Sequence, residues 1–210
     1  FNVFKYISFR AVGAAITALI ISFLIGPMII RTLQSRQIGE VIRKTGPEAH
    51  QKKQGTPTMG GIIVLVAIIL PTLLWAKLDD RYIMIILSAT LWMGMIGFLD
   101  DYLKVVKKLG LGLIARYKLA GQISLGCIIS FWIFQIPDYI DFNTKTTIPF
   151  FKNVELDLGM FYPLMVVLVI TGTSNAVNLT DGLDGLLAGL LAICFSVFSA
   201  ITYITGRIDF

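Results

Sequence analysis

Six runs of mostly apolar residues, each about long enough to cross a lipid bilayer, leave this chain few folds to choose from. At about 1.5 Å of helix rise per residue, some 20 apolar residues span the hydrocarbon. The runs cover residues 11–30, 60–76, 82–99, 119–136, 160–176 and 186–203. Backbone N–H and C=O groups in lipid must be paired within their own segment, so such runs predict helices. The whole chain has the same balance: of 210 residues, 56% are hydrophobic and 15% charged, with mean hydropathy +0.79. An ordinary soluble domain is excluded by those values. The expected fold is an all-α integral membrane protein, one polytopic domain over residues 1–210 with about six transmembrane helices. The fifth run is the least sharply bounded, because after residue 172 it passes into small and polar residues. The first run reads as too long, and too closely followed by a basic loop, for a cleavable signal peptide. Cys127 and Cys194 both fall inside apolar runs, which argues for small core residues and against a disulfide or zinc framework.

Charge sets the expected orientation. Residues 31–59 carry Arg31, Arg36, Arg43, Lys44, Lys52 and Lys53, and residues 100–118 carry Lys104, Lys107, Lys108, Arg116 and Lys118. The other side would hold Lys5, Arg10, Lys77, Arg81, Lys145, Lys152 and Arg207. The net charge of +5 matters less than this division. The two basic loops are expected in the cytoplasm and the N-terminus outside. By parity, residues 177–185 join them on the cytoplasmic side. Between the fourth and fifth runs, Thr146-Thr147-Ile148 and Val154-Glu155-Leu156 alternate in a way that suits a short external β-hairpin.

Three stretches on the expected cytoplasmic side carry chemistry. In Phe98-Leu99-Asp100-Asp101-Tyr102-Leu103-Lys104, two adjacent carboxylates end an apolar run, a costly place for them unless a cation, a lysine or water satisfies them. On a helix Asp100 and Lys104 share a face, while Asp101 points about a quarter-turn away. Such a group suits a divalent metal and a phosphate; the plainer reading is a helix end dipping into water. In Gly55-Thr56-Pro57-Thr58-Met59-Gly60-Gly61, a tight turn precedes a membrane helix, with Lys53 just upstream. Its N–H groups and hydroxyls suit a phosphate, whereas the alternative is a stiff junction whose lysines face lipid headgroups. It is not a P-loop. His50, the only histidine, reads as a loop residue. In the third stretch, Asn175, Asn178 and Asp181 form a stripe if helical, which Asp184 extends. That stripe suits a nucleobase, a sugar or a metal, or else interhelical amide packing. The spacing lacks the ligands of an EF-hand.

These strings, with Asn178-Leu179-Thr180-Asp181-Gly182-Leu183-Asp184-Gly185-Leu186 as the third, resemble in order and topology the MraY family, the phospho-N-acetylmuramoyl-pentapeptide transferases. That family lies among the polyprenyl-phosphate N-acetylhexosamine-1-phosphate transferases. The resemblance extends to Gly112-Leu113-Ile114-Ala115-Arg116-Tyr117-Lys118 and Pro149-Phe150-Phe151-Lys152, and so covers essentially the whole chain. It implies an enzyme of peptidoglycan synthesis in the bacterial inner membrane, with its active site in the cytoplasm. Phospho-MurNAc-pentapeptide would pass from its UDP carrier to undecaprenyl phosphate, giving lipid I and UMP with Mg2+ required. Asp100 and Asp101 would form the metal–phosphate centre, Asp181 would add a metal contact, and Lys104 and Lys118 would hold phosphate oxygens. Lys53, Thr58, Asn178, Asp181 and Asp184 would line the nucleotide and pyrophosphate pocket, with Asp184 facing uracil.

The family's chain runs on past residue 210 into a further catalytic aspartate, a His-rich loop and more helices, so this chain is expected to be its N-terminal and central part, inactive alone. The partners implied are the two substrates and the lipid bilayer, with no nucleic acid; a homo-oligomer stays open. Two alternatives stand beside this reading. A sister transferase would use UDP-GlcNAc, against which the residue 55–61 string argues. A non-catalytic membrane partner or transporter half would use the same helices. Its charges, however, belong at the midplane, and no inverted repeat is visible here.

Overall fold

The computed structural model describes residues 2–35, 59–107, 112–134, 144–148, 154–182 and 185–205. They form two units, Phe1–Asn143 and Thr144–Phe210. The first holds α1 (Ile7–Ser35), α2 (Gly61–Trp75), α3 (Arg81–Val105) and α4 (Ala115–Phe134). The second holds a hairpin of β1 (Lys145–Thr147) and β2 (Glu155–Asp157), then α5 (Tyr162–Thr180) and α6 (Leu186–Thr205). Short 3-10 turns, Val3–Lys5 and Gly159–Phe161, lead into α1 and α5.

The expected all-α membrane fold is what the chain forms. Among the described residues, five helical stretches are long and apolar enough to cross a membrane: Ile7–Ser35, Arg81–Val105, Ala115–Phe134, Gly159–Thr180 and Leu186–Thr205. The protein is a multi-pass membrane protein. The second apolar run forms a helix of only 15 residues, about 22 Å of rise, so length alone does not make it a sixth. Large apolar side chains such as Phe23, Leu74, Phe131 and Phe198 face outward, as lipid-facing groups do, and among the described residues the buried apolar side chains are few. Cys127 and Cys194 are free and exposed, not core residues, because their helices turn those positions outward.

In the first unit each helix packs on the next in sequence, and glycines set the closeness. A Cβ on Gly94 would lie 2.7 Å from Leu65 of α2, and one on Gly121 2.7 Å from Ile96 of α3. Beside the latter contact, Trp92 Nε1 donates to the Gly121 carbonyl at 2.9 Å. Small residues that admit a neighbouring helix are the usual means of close packing in lipid. At the far end of α2, the Trp75 ring lies on Gly13, where a Cβ would meet it at 2.7–2.9 Å. Trp75 Nε1 donates to Thr17 Oγ1 at 3.0 Å and the Trp75 carbonyl accepts from Arg10 Nε at 2.6 Å. Phe4 and Phe9 flank the ring at 6.1 and 5.9 Å. A flat ring tied at both ends cannot yield to a new side chain. Gly13→Leu is therefore expected to destabilise the first unit by about 1–3 kcal/mol, read as a lowered Tm in detergent. An unchanged Tm would mean that the α1–α2 contact does not rest on this glycine.

In the second unit β1 and β2 pair antiparallel as a hairpin, as the alternation suggests, each strand one residue off the expected piece and with Thr146 opposite Leu156. The Asp157 carboxylate closes the base of the hairpin, accepting from Thr144 Oγ1 at 2.6 Å and from the Gly159 N–H at 2.9 Å. Those two donors, the hydroxyl first, hold its pKa below the ordinary carboxylate value. A carboxyl whose folded pKa is lowered stabilises the fold above its unfolded pKa of about 3.9 and loses that contribution as the pH falls through the folded value. The amide protection of Leu158 is thus expected to weaken below about pH 4, and an Asp157→Asn hairpin to show no such step by hydrogen exchange.

Candidate active site

The apolar run ends at Leu99, but the helix does not. α3 continues to Val105, so Asp100, Asp101 and Lys104 stand on its last turns, and Lys118 stands on the first turn of α4. Residues 100–118 are therefore helical at both ends, not one loop. Asp80 starts α3 by accepting the Tyr82 N–H at 2.8 Å, which fixes where the acidic pair falls between five and six turns later, at about 3.6 residues per turn.

Among the described residues of the unit, Asp100 is the best-held carboxylate. Its Oδ2 accepts from Lys104 Nζ at 2.8 Å, the i,i+4 pair that helical spacing predicts. Its Oδ1 accepts from the Leu113 N–H at 2.8 Å. Only 15% of its side chain is exposed, against 45% for Lys104, so the lysine remains open to an incoming anion. Asp101 accepts from the Met59 backbone N–H and lies in the field of Lys104, Asp100 and Lys118. Lys118 also acts on Asp100 across space. One small region of the first unit thus gathers two carboxylates and two ammonium groups.

Sequence reasoning missed Met59, Gly112 and Leu113. Met59 is buried and has φ 70°, a left-handed conformation uncommon outside glycine. Its N–H brings the end of the residue 55–61 string against the second aspartate. Gly112 is likewise left-handed, with φ 62°. The one available signal was a glycine three residues ahead of a helix start.

The remaining expected site residues divide. Lys53, Thr58 and Asp184 lie outside the described residues. Asn178 stands exposed on α5, in the second unit. The helical stripe is interrupted there, because α5 ends at Thr180 and Asp181 caps it with φ −77°, ψ 46°. Asn175 spends its amide on the helix itself, donating to the Thr171 carbonyl at 2.8 Å. Asp181 thus stands at the carbonyl end of that helix, in the second unit.

Among the described residues no group of three or more His, Cys, Asp or Glu converges. That does not disqualify magnesium, which is ordinarily held by one or two carboxylates plus phosphates and water. Each Asp100 oxygen has one donor and keeps lone-pair capacity, and Asp101 adds a second hard oxygen ligand beside it. The donor set fits.

With this geometry in place, comparison with known proteins is decisive. The model of glycosyl transferase family 4 matches residues 83–210, from the start of α3 through the second unit. The chain belongs to glycosyl transferase family 4. Within that family, residues 53–65 match signature 1 of the phospho-N-acetylmuramoyl-pentapeptide-transferases, a stretch that takes in Met59 and the start of α2. Curated relatives carrying that name are similar along nearly the whole chain. The protein from Desulfotalea psychrophila is 48% identical over 208 residues, covering 99% of this chain and 57% of the relative. That from Desulfosudis oleivorans is 50% identical over 207 residues, with the same coverage. That from Chlorobaculum parvum is 47% identical over 206 residues, 98% of this chain and 56% of the relative. The chain spans a little over half the length of these relatives.

Proposed function

We propose that this chain serves the transfer of phospho-MurNAc-pentapeptide from UDP to undecaprenyl phosphate, forming lipid I and UMP. The observation that carries the reading is the signature stretch meeting the acidic pair: Met59, within it, donates to Asp101, while Asp100 is paired with Lys104. The names of the relatives support the substrate branch.

In the reaction an oxygen of the lipid phosphate attacks the sugar-bearing phosphorus of the pyrophosphate. A new P–O–P linkage forms, the old one breaks, and UMP leaves with the electron pair. The lipid phosphate is already largely ionised near neutral pH, so proton removal is a minor demand. The main barrier is bringing several negative charges together. Lys104, open to solvent on one side, and Lys118 hold phosphate oxygens. Asp100 and Asp101 would hold magnesium, and the resemblance would add Asp181 as a further ligand; when bound, the ion would offset phosphate charge. Lys53, Thr58, Asn178 and Asp184 receive the nucleotide and pyrophosphate. The basic stretches favour a site on the cytoplasmic face of the inner membrane, with the N-terminus outside.

The test is UMP release by the native protein at its full natural length, in nanodiscs. Release from UDP-MurNAc-pentapeptide should require both undecaprenyl phosphate and Mg2+, and should stop with EDTA. Turnover of UDP-GlcNAc in its place would move the protein to a sister activity. Release without the lipid phosphate would sink the transfer reading altogether.

A further inference from the structure

Asp100 is met from outside its own helix by one backbone turn. The Leu113 N–H reaches Oδ1 at 2.8 Å, and Gly112, the residue before it, is buried with φ 62°. A Cβ at Gly112 would stand 2.5 Å from Lys104 Cε, 2.6 Å from Asp100 Oδ1 and 2.7 Å from Lys104 Cγ. The glycine therefore lies against both members of the ion pair at once.

From this we infer that Gly112 and the Leu113 N–H form a backbone latch that sets the side-chain geometry of Asp100 and Lys104 for phosphate transfer. An i,i+4 pair at a helix end has several rotamers open to it. Here Lys104 takes Oδ2 and the latch takes Oδ1, so the plane of the carboxylate is fixed from both sides. A backbone donor is well suited to this role, since it carries no net charge, competes for no metal, and has no side-chain freedom to lose. Any L-residue at 112 fails twice, through the left-handed φ and through collision with the two groups it should position. The second carboxylate has a parallel device in Met59, also left-handed, whose N–H meets Asp101 just before α2. Gly112 and Leu113 are thus positioning residues, acting through Asp100 and Lys104. The catalytic part of this inference rests on the transferase reading; the latch geometry does not.

Two measurements on the full-length protein separate these. The first is amide hydrogen exchange at Leu113, which needs no turnover. Its exchange should be slow in the native protein and at least about tenfold faster in Asp100→Ala; equal rates would overturn the latch. In the second, Leu113 is replaced by its α-hydroxy acid, which removes the N–H and keeps the side chain. We expect kcat to fall about tenfold with KM for the nucleotide sugar held within about twofold. Gly112→Ala should lose about 100-fold in kcat. A merely structural turn would lower Tm and leave kcat per folded molecule intact, and that result for the ester would overturn the positioning role. Should the native protein release no UMP under any condition, the transferase reading fails, and with it the catalytic role, while the exchange result still decides the latch.

Discussion

Asp100→Asn is expected to slow UMP release by about 100- to 1,000-fold while leaving the fold intact. The amide keeps the volume of the side chain and an oxygen for the Leu113 N–H. It removes the negative charge that pairs with Lys104 at 2.8 Å and the second hard oxygen a divalent cation would need. Because the side chain is largely sheltered, water cannot replace the lost charge interaction cheaply. The measurement is single-turnover release of UMP, with Tm recorded beside it. A rate within about threefold of the native protein would take Asp100 out of the chemistry.

Lys104 should be nearly as sensitive, and to a change that keeps its charge. Lys104→Ala is expected to cost about 100-fold in kcat, because a donor to developing phosphate charge is gone. Lys104→Arg should recover little of it. The lysine stem lies along Gly112, within reach of where a Cβ would stand, and a planar guanidinium is wider there than an ammonium on a thin chain. Full rescue by arginine would mean that only the sign of the charge matters at this position, and that the packing against Gly112 does not constrain it.

Hydropathy made the helices legible, since pairing of backbone groups in lipid is a local demand that each apolar run meets by itself. The hairpin was legible for a similar reason, from alternation within two short pieces. The end of α3 was not: charge ends an apolar run without ending a helix, and the Asp100–Lys104 pair in fact supports the extra turns. The pairing of Asp100 with Lys104 could be read from spacing. Its contact with Leu113, and that of Asp101 with Met59, could not, because residues far apart along the chain meet only once α2, α3 and α4 have packed. The left-handed Met59 carries no sequence signal at all; glycine or asparagine is the usual residue there. Asp181 was expected to continue a helical stripe, and local polarity gave no sign that α5 stops one residue earlier.

Both ends of α2 are tied to neighbouring helices, by Met59 to Asp101 at one end and by Trp75 to Arg10 at the other. A helix of 15 residues is about 22 Å long, less than the roughly 30 Å of ordinary bilayer hydrocarbon. Tilting only shortens its reach, and fixed ends stop it from sliding toward either surface. If α2 crosses the bilayer, lipid touching it would have to shorten by compressing its acyl chains. The membrane would then be thinnest beside α2, the helix whose start lies against Asp101, drawing headgroup phosphates inward at that point, and the working rate of the protein would depend on the chain length of the lipid around it.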